Sequence, residues 1–300
     1  MSSRRRPPAL RRSWLFLPGA EEAALHGAGG VGADVLIQEL EDFVPPQRRE
    51  AARHLIPAVM ASWKSAGVLA AVRINPLHTA DAAHDLEAAM RAGAEIVLLP
   101  KTRHRGDIAE LDRAITRWER ELGRPHGEVE IVPNIESAAA LRETYEIAHG
   151  SERVSACLVA SEDMATDLNA ERGSDGVELA YVRQRFLVDC VAAGKLAIDC
   201  PYTFSDAEGA AREARQARRL GYFAKSLVDP AHVAAINQAF TPSVAQVARA
   251  RRLVEAFDAA QARGEPRVEL DGALVEVPTY QNARRLLARA EAFATAVAKR

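Results

Sequence analysis

Residues 128–149 read EVEIVPNIESAAALRETYEIAH. A short apolar run, Glu128–Val132, leads to a carboxylate at Glu136, and a helix-like stretch from Ala138 to His149 follows. The same unit recurs along the chain. DVLIQELED ends in Glu39, Glu41 and Asp42, LAAVRIN in Arg73 and Asn75, and EIVLLPK in Lys101. ACLVASED delivers Glu162 and Asp163, KLAID delivers Asp199, and YFAKSLVD delivers Lys225 and Asp229. Strands that carry their charges at one end, each followed by a helix, gather those charges on one rim of a parallel sheet or barrel. That rim is where α/β enzymes build their sites.

Working outward, the apolar runs place strands near Trp14–Leu17, Asp34–Gln38, Leu69–Ile74, Glu95–Leu99, Glu128–Val132, Ala156–Ala160, Leu196–Ile198 and Phe223–Val228. They are short and rich in Val, Ile and Leu, as parallel strands covered on both faces are. About eight of them is the number that closes a (β/α)8 TIM barrel. Helical spacing fills the gaps at Pro46–Ala61, Ala80–Ala92, Ile108–Leu122, Ala138–His149, Leu179–Ala193 and Ala207–Leu220. Gly194 and Gly221 follow two of these runs as helix caps.

The rhythm changes after Phe240. A long helix is predicted over Pro242–Arg263, then a hairpin in RVELDGALVEVP, then a helix over Thr279–Ala296. The expected organisation is a disordered basic tail over residues 1–11, an α/β barrel over 12–240, and a C-terminal helical and hairpin extension over 241–300. The extension could pack on its own barrel or cover a neighbouring subunit.

The 300 residues carry a formal net charge of −2, which gives no bulk attraction to nucleic acid or membrane. No apolar stretch reaches the ~20 residues of a membrane span. The basic start MSSRRRPPALRR lacks the apolar segment of a secretory signal. Cys157, Cys190 and Cys200 fit neither a disulfide framework nor a zinc motif, and a reducing cytoplasm is the expected location.

Glu136 and Asp163 close sequential strands. Two carboxylates side by side on a dry rim repel each other unless a hard cation such as Mg2+ lies between them. Capping of the following helices is the alternative, because Ser137 and the Ser161-Glu162-Asp163 run each precede a helix. Arg73 suits an anionic substrate or a developing enolate. It equally suits a salt bridge to Glu39 or Asp42. Lys101 fits either a substrate anion or a neighbouring carboxylate. Asp199 and Tyr202 fit either a pocket wall or a local cap.

Taken in order, RRSWLFLPG, DVLIQELEDFVPP, VRINPL, IVLLPK, VPNIESAAAL, SEDMATDL and DGALVEVP resemble the citrate lyase beta-subunit-like branch of the HpcH/HpaI aldolase family, which includes malyl-CoA and citramalyl-CoA lyases. The resemblance runs from Arg12 to about Ala290. It implies a (β/α)8 barrel, bound magnesium, cleavage of a carbon–carbon bond in a CoA or acyl-carrier thioester, and a homo-oligomer, trimeric or hexameric. It places metal ligands at Glu136 and Asp163, the site arginine at Arg73, and the acidic cluster at Glu39, Glu41 and Asp42. It associates Arg12 with the phosphate-bearing portion of the thioester or with the site floor, and puts the proton donor at Glu276, supplied by a neighbouring subunit.

Four departures mark this chain: Glu39 where the family usually has Asp, Ser161 for Gly, Asp229 for His, and Glu276 for Asp. They favour a divergent lyase with its own substrate over a citrate lyase subunit. They also keep in view a thioester hydrolase on the same site, a catalytically altered binding or assembly subunit, and an aldolase acting on a free 2-oxo acid.

Overall fold

The computed structural model describes residues 5–298, which divide into two compact units at Phe240/Thr241. In the first unit, eight parallel strands close into a barrel in sequence order. They are β1 (Ser13–Pro18), β2 (Val35–Glu39), β3 (Leu69–Arg73), β4 (Ile96–Leu99), β5 (Glu130–Ile135), β6 (Ala156–Val159), β7 (Leu196–Asp199) and β8 (Ala224–Leu227). The helices between them are α1 (Glu22–Gly27), α2 (Arg49–Ser65), α3 (Ala80–Arg91), α4 (Arg105–Glu121), α5 (Ala138–Arg142), α6 (Thr144–Ala148), α7 (Glu162–Asp167), α8 (Ala180–Ala192), α9 (Ala207–Leu220) and α10 (Val233–Phe240).

Side chains two apart along a strand share a face. Trp14, Phe16, Val35, Ile37, Val132, Leu158 and their counterparts fill the lumen as one buried cluster. Leu15, Leu36, Val72, Ile131 and Ala197 point outward into a second cluster beneath the helices. The strands are therefore apolar on both faces, which is why they read as continuous runs rather than alternating ones.

Two elements depart from the predicted ranges. β5 continues past Val132 to Ile135, because Pro133 stays in the strand opposite Leu99. The expected helix over Ala138–His149 breaks into α5 and α6 at Glu143. At the rim, Gly19 is required by close approach. A methyl group there would lie 2.2 Å from the Glu39 carbonyl oxygen, and the Gly19 N–H donates to that oxygen at 2.9 Å.

The tail expectation fails for the described part of residues 1–11. Arg11 is buried and forks onto Glu130 at 2.5 and 2.8 Å, and Arg5 pairs with Glu95. A two-pronged guanidinium–carboxylate contact fixes a segment that composition alone presents as frayed. Residues 1–4 lie outside the described residues.

The second unit holds α11 (Val244–Ala262), an antiparallel hairpin of β9 (Val268–Leu270) and β10 (Ala273–Val275), and α12 (Val277–Ala298). Ser243 and Gln246 form a reciprocal capping box at the start of α11. Asp271 and Gly272 both take positive φ, as the two central residues of a tight hairpin turn do. Leu253, Phe257 and Val275 anchor this unit's own small core.

Candidate active site

The register of the sheet assembles the rim. Glu39 ends β2 directly opposite Arg73, which ends β3. Both share the lumen-facing parity of Ile37 and Ala71. The Arg73 Nε donates to Glu39 Oε1 at 2.9 Å and its Nη2 donates to Asp42 Oδ2 at 3.1 Å. Glu41 lies 3.3 Å from the same guanidinium. Phe16 sits under it, 5.2 Å from ring centre to Cζ. Burial opposes the charge on Arg73, but Glu39, Glu41, Glu136 and Asp42 more than offset it and hold the guanidinium pKa above its usual value.

Glu39 is fully buried and also accepts the backbone N–H groups of Glu41 and Phe43, each at 2.6 Å. Those bonds fold the acidic loop back over Arg73. Glu39 is engaged by Arg73 and the loop backbone, so it positions both. Asp42 does line the cavity. Burial disfavours its charge, but Arg73 and Lys101 outweigh burial and hold its carboxyl below the usual range.

Lys101, in a left-handed turn with φ +48°, forms ion pairs with Glu41 and Asp42. Of the two roles the sequence left open for it, the structure shows the carboxylate pair. Lys101 opens onto a neighbouring cavity of about 110 Å3, bounded also by His78 and Arg103.

Glu136 follows β5 and is 4% exposed; among the described residues no short hydrogen bond reaches its carboxylate oxygens, and the Lys101 backbone N–H is the polar hydrogen nearest in effect. The nearest cation, Arg73 Nη1, is 3.9 Å away. Desolvation pushes the Glu136 carboxyl up to about 8, Arg73 opposes the rise, and the charges of Asp163 and Glu41 add to it. Asp163 stands in the first turn of α7 and lines the cavity. The Ser161 side chain does not cap α7, whereas Ser137 caps α5 by accepting from the Ala140 N–H at 3.2 Å. Capping therefore belongs to Ser137, and the buried Glu136 carboxyl has only Arg73, 3.9 Å away, to set against its charge. Such an arrangement is costly without a counter-ion.

These residues fit a hard divalent cation. The donors are all oxygen, and among the described residues no cluster of three or more His, Cys, Asp or Glu side chains stands ready to enclose a metal. Magnesium suits so open a donor set, because it commonly takes one or two carboxylates and fills its remaining positions with water or substrate oxygens.

The cavity beside this pair holds about 400 Å3. Its rim carries Asp42, Arg73, Glu162 and Asp163, and its inner wall carries Phe16, Asn134, Leu158, Ser226 and Val228. Glu162 is engaged by its neighbours: it accepts from Thr203 Oγ1 at 2.7 Å and from Arg172 Nε at 3.1 Å.

A profile of the HpcH/HpaI aldolase/citrate lyase family matches residues 12–230. The chain belongs to that family. It is 34% identical to the citrate lyase subunit beta of Escherichia coli K12 over 97% of this chain and 96% of that protein. It is 30% identical to a (3S)-malyl-CoA thioesterase of Cereibacter sphaeroides over 94% and 95%. Among solved structures it resembles the CitE protein of Mycobacterium tuberculosis in complex with magnesium, acetoacetate and coenzyme A, with TM-score 0.75 and 28% identity over 93% of this chain and 98% of the other. A citrate lyase from Burkholderia xenovorans, with TM-score 0.83 and 21% identity over 97% and 96%, shares the fold.

Other residues singled out in the sequence lie elsewhere. Arg12 precedes β1 and binds Asp34, which precedes β2, through Nε at 2.8 Å and Nη2 at 2.9 Å. That is the N-terminal end of the barrel, opposite the rim that carries Glu136 and Asp163, so Arg12 is not at this site as the resemblance implied. Glu276 belongs to the second unit, exposed between β10 and α12. Asp229 caps the turn after β8 by accepting from the Ala231 N–H at 2.8 Å. Tyr202 donates to Asp206. Asp199 points away from the lumen, where Arg183 forks onto it at 2.8 Å on both prongs and Lys225 reaches it at 2.7 Å. Cys157, Cys190 and Cys200 are free and buried. No described helix is long and apolar enough to cross a membrane.

The sequence reading missed Asn134. The signal was present: Asn134 lies two residues before Glu136, so the strand period puts both on the lumen side.

Proposed function

We propose that this protein is a magnesium-dependent carbon–carbon lyase that cleaves a 3-hydroxyacyl thioester of citramalyl, malyl or citryl type into a 2-oxo acid and an acyl thioester. The observation that carries the reading is the buried Glu136 carboxyl, which no short hydrogen bond among the described residues satisfies and which feels the charge of Asp163, a residue that lines a cavity of about 400 Å3. The relative solved with magnesium, acetoacetate and coenzyme A supports it.

Glu136 and Asp163 would hold the ion, which when bound supplies Lewis acidity to the oxygens of the substrate. As the hydroxyl proton passes to water in the open cavity, its O–H electrons form the carbonyl of the 2-oxo acid. The electrons of the broken carbon–carbon bond pass into the thioester as an enolate. Arg73 faces that charge with Nη1, the guanidinium nitrogen that has no hydrogen bond among the described residues. Asp42 and Glu39 fix the guanidinium plane, so little reorganisation is needed when charge develops. The α-carbon then takes a proton. By family resemblance the donor is Glu276, from a neighbouring subunit of a homo-oligomer.

Hydrolysis of the thioester is the second reading, favoured by the relative named as a malyl-CoA thioesterase. Incubation with citramalyl-CoA and malyl-CoA, with and without magnesium, separates the two. The lyase yields free 2-oxo acid and acetyl-CoA. The hydrolase yields intact hydroxy acid and free CoA thiol. Formation of neither, in protein that binds magnesium, overturns both.

A further inference from the structure

Asn134 is the polar group of the site that the chemistry above leaves without work. It lies on β5 between Val132 and Glu136, all three on the lumen side, and its neighbour in register is Leu158 of β6. Asn134 is 1% exposed and lines the cavity, yet neither its amide nitrogen nor its amide oxygen has a hydrogen-bond partner among the described residues. Around it the wall is Phe16, Leu158 and Val228, with Ser226 already donating to the Asp199 carbonyl at 3.0 Å. Buried amides carry hydrogen-bonding capacity that a ligand can use, and leaving it unused is costly.

Three considerations define the ligand group. The thioester arm must leave through the mouth of the cavity, so the 2-oxo acid half lies deepest. The site already carries Glu39, Glu41, Asp42, Glu136, Glu162 and Asp163 against Arg73, Lys101 and Arg172, and each of those cations is paired. A second carboxylate on the substrate would meet no unpaired cation at the floor. A purely alkyl group would leave the Asn134 amide unpaired.

Resting on the lyase reading, and narrowing its substrate to a hydroxylated analogue of the citramalyl type, we propose that Asn134 and the apolar wall around it form a subsite for an uncharged, hydroxyl-bearing substituent on the 2-oxo acid half of the substrate. Asn134 Oδ1 accepts from that hydroxyl or Nδ2 donates to it, while Phe16 and Leu158 cover the adjoining carbon.

The test is calorimetric binding of hydroxypyruvate, 2-oxobutyrate, oxaloacetate and pyruvate to the full chain in magnesium. Hydroxypyruvate and 2-oxobutyrate differ by a hydroxyl in place of a methyl. The wild type binds hydroxypyruvate about tenfold or more tighter than 2-oxobutyrate, with oxaloacetate weaker than hydroxypyruvate. Asn134→Leu removes the hydroxyl preference, with its folded state checked independently by circular dichroism and urea unfolding. Equal affinities in the wild type, tightest binding of oxaloacetate, or a preference retained in Asn134→Leu overturns the subsite and leaves the lyase reading standing. Failure of every 2-oxo acid to bind the wild type in magnesium overturns both.

Discussion

Glu39 beside Arg73 and Asp199 beside Lys225 are built the same way. Each is a carboxylate that ends one strand and a cation in register with it on the adjacent parallel strand. They differ by one residue of strand parity. The first pair faces the lumen and the second faces the helices. Behind β7 and β8 the cluster is closed: Asp199 and Lys225 are fully buried, and Arg183 and Glu213 join them in ion pairs. At the lumen mouth the cluster is open, because among the described residues no short hydrogen bond reaches the buried Glu136 carboxyl and the Arg73 Nη1, 3.9 Å from it, donates none. Buried charges that find partners hold a structure together. A buried charge left over marks where a cation or substrate belongs.

The largest expected effect is in the closed cluster. Asp199→Ala leaves Lys225 and Arg183 buried without their shared partner and lowers the unfolding free energy by about 3–5 kcal/mol, measured by urea denaturation. The pH dependence follows from the same contacts. Burial disfavours the Asp199 charge, but Lys225 and Arg183 overcome it and hold the carboxyl below its usual value. Its stabilisation is therefore full above the unfolded-state pKa of about 3.9 and is lost as pH falls through the lower folded value. Asp199→Asn removes that acid-side slope. If Asp199→Ala is as stable as the wild type, the closed cluster is not structural.

In the open cluster, Arg73→Lys keeps the charge but loses the planar fork that reaches Glu39, Asp42 and the cavity together. kcat/KM is expected to fall about 100-fold. Unchanged kcat/KM would remove Arg73 from the reaction.

The smallest effect separates motif from site. Asp229 lies where the family pattern usually has histidine, yet it caps a turn. Asp229→Ala costs about 1 kcal/mol and leaves magnesium binding unchanged. A large loss of magnesium affinity would place Asp229 in the site instead.

The barrel was legible because each of its strands is apolar on both faces and ends at a polar rim, so runs such as IVLLPK and ACLVASED carry the fold directly. The placement of Glu136, Asp163 and Arg73 at the strand ends was legible for the same reason. Other features depend on facts that a single strand does not carry. Arg12 has the right charge at the wrong end of its strand. Asp199 has the right end and the wrong parity, visible once Ile198 is known to face the lumen. Glu39 matches the acidic motif, but its role is set by the loop that folds back onto it. Asn134 was hidden by Pro133, which suggests that the strand stops when it continues.

Desolvation pushes the Glu136 carboxyl up to about 8, short of a close counter-ion, and magnesium would supply one. The direct measurement is the unfolding free energy of the wild type and Glu136→Gln, each in EDTA and in magnesium. Magnesium at about one hundred times its Kd is expected to raise the wild type by about 2.7 kcal/mol and to leave Glu136→Gln unchanged. In EDTA, Glu136→Gln is expected to be at least as stable as the wild type. A variant that loses several kcal/mol in EDTA, or that responds to magnesium as the wild type does, contradicts the account.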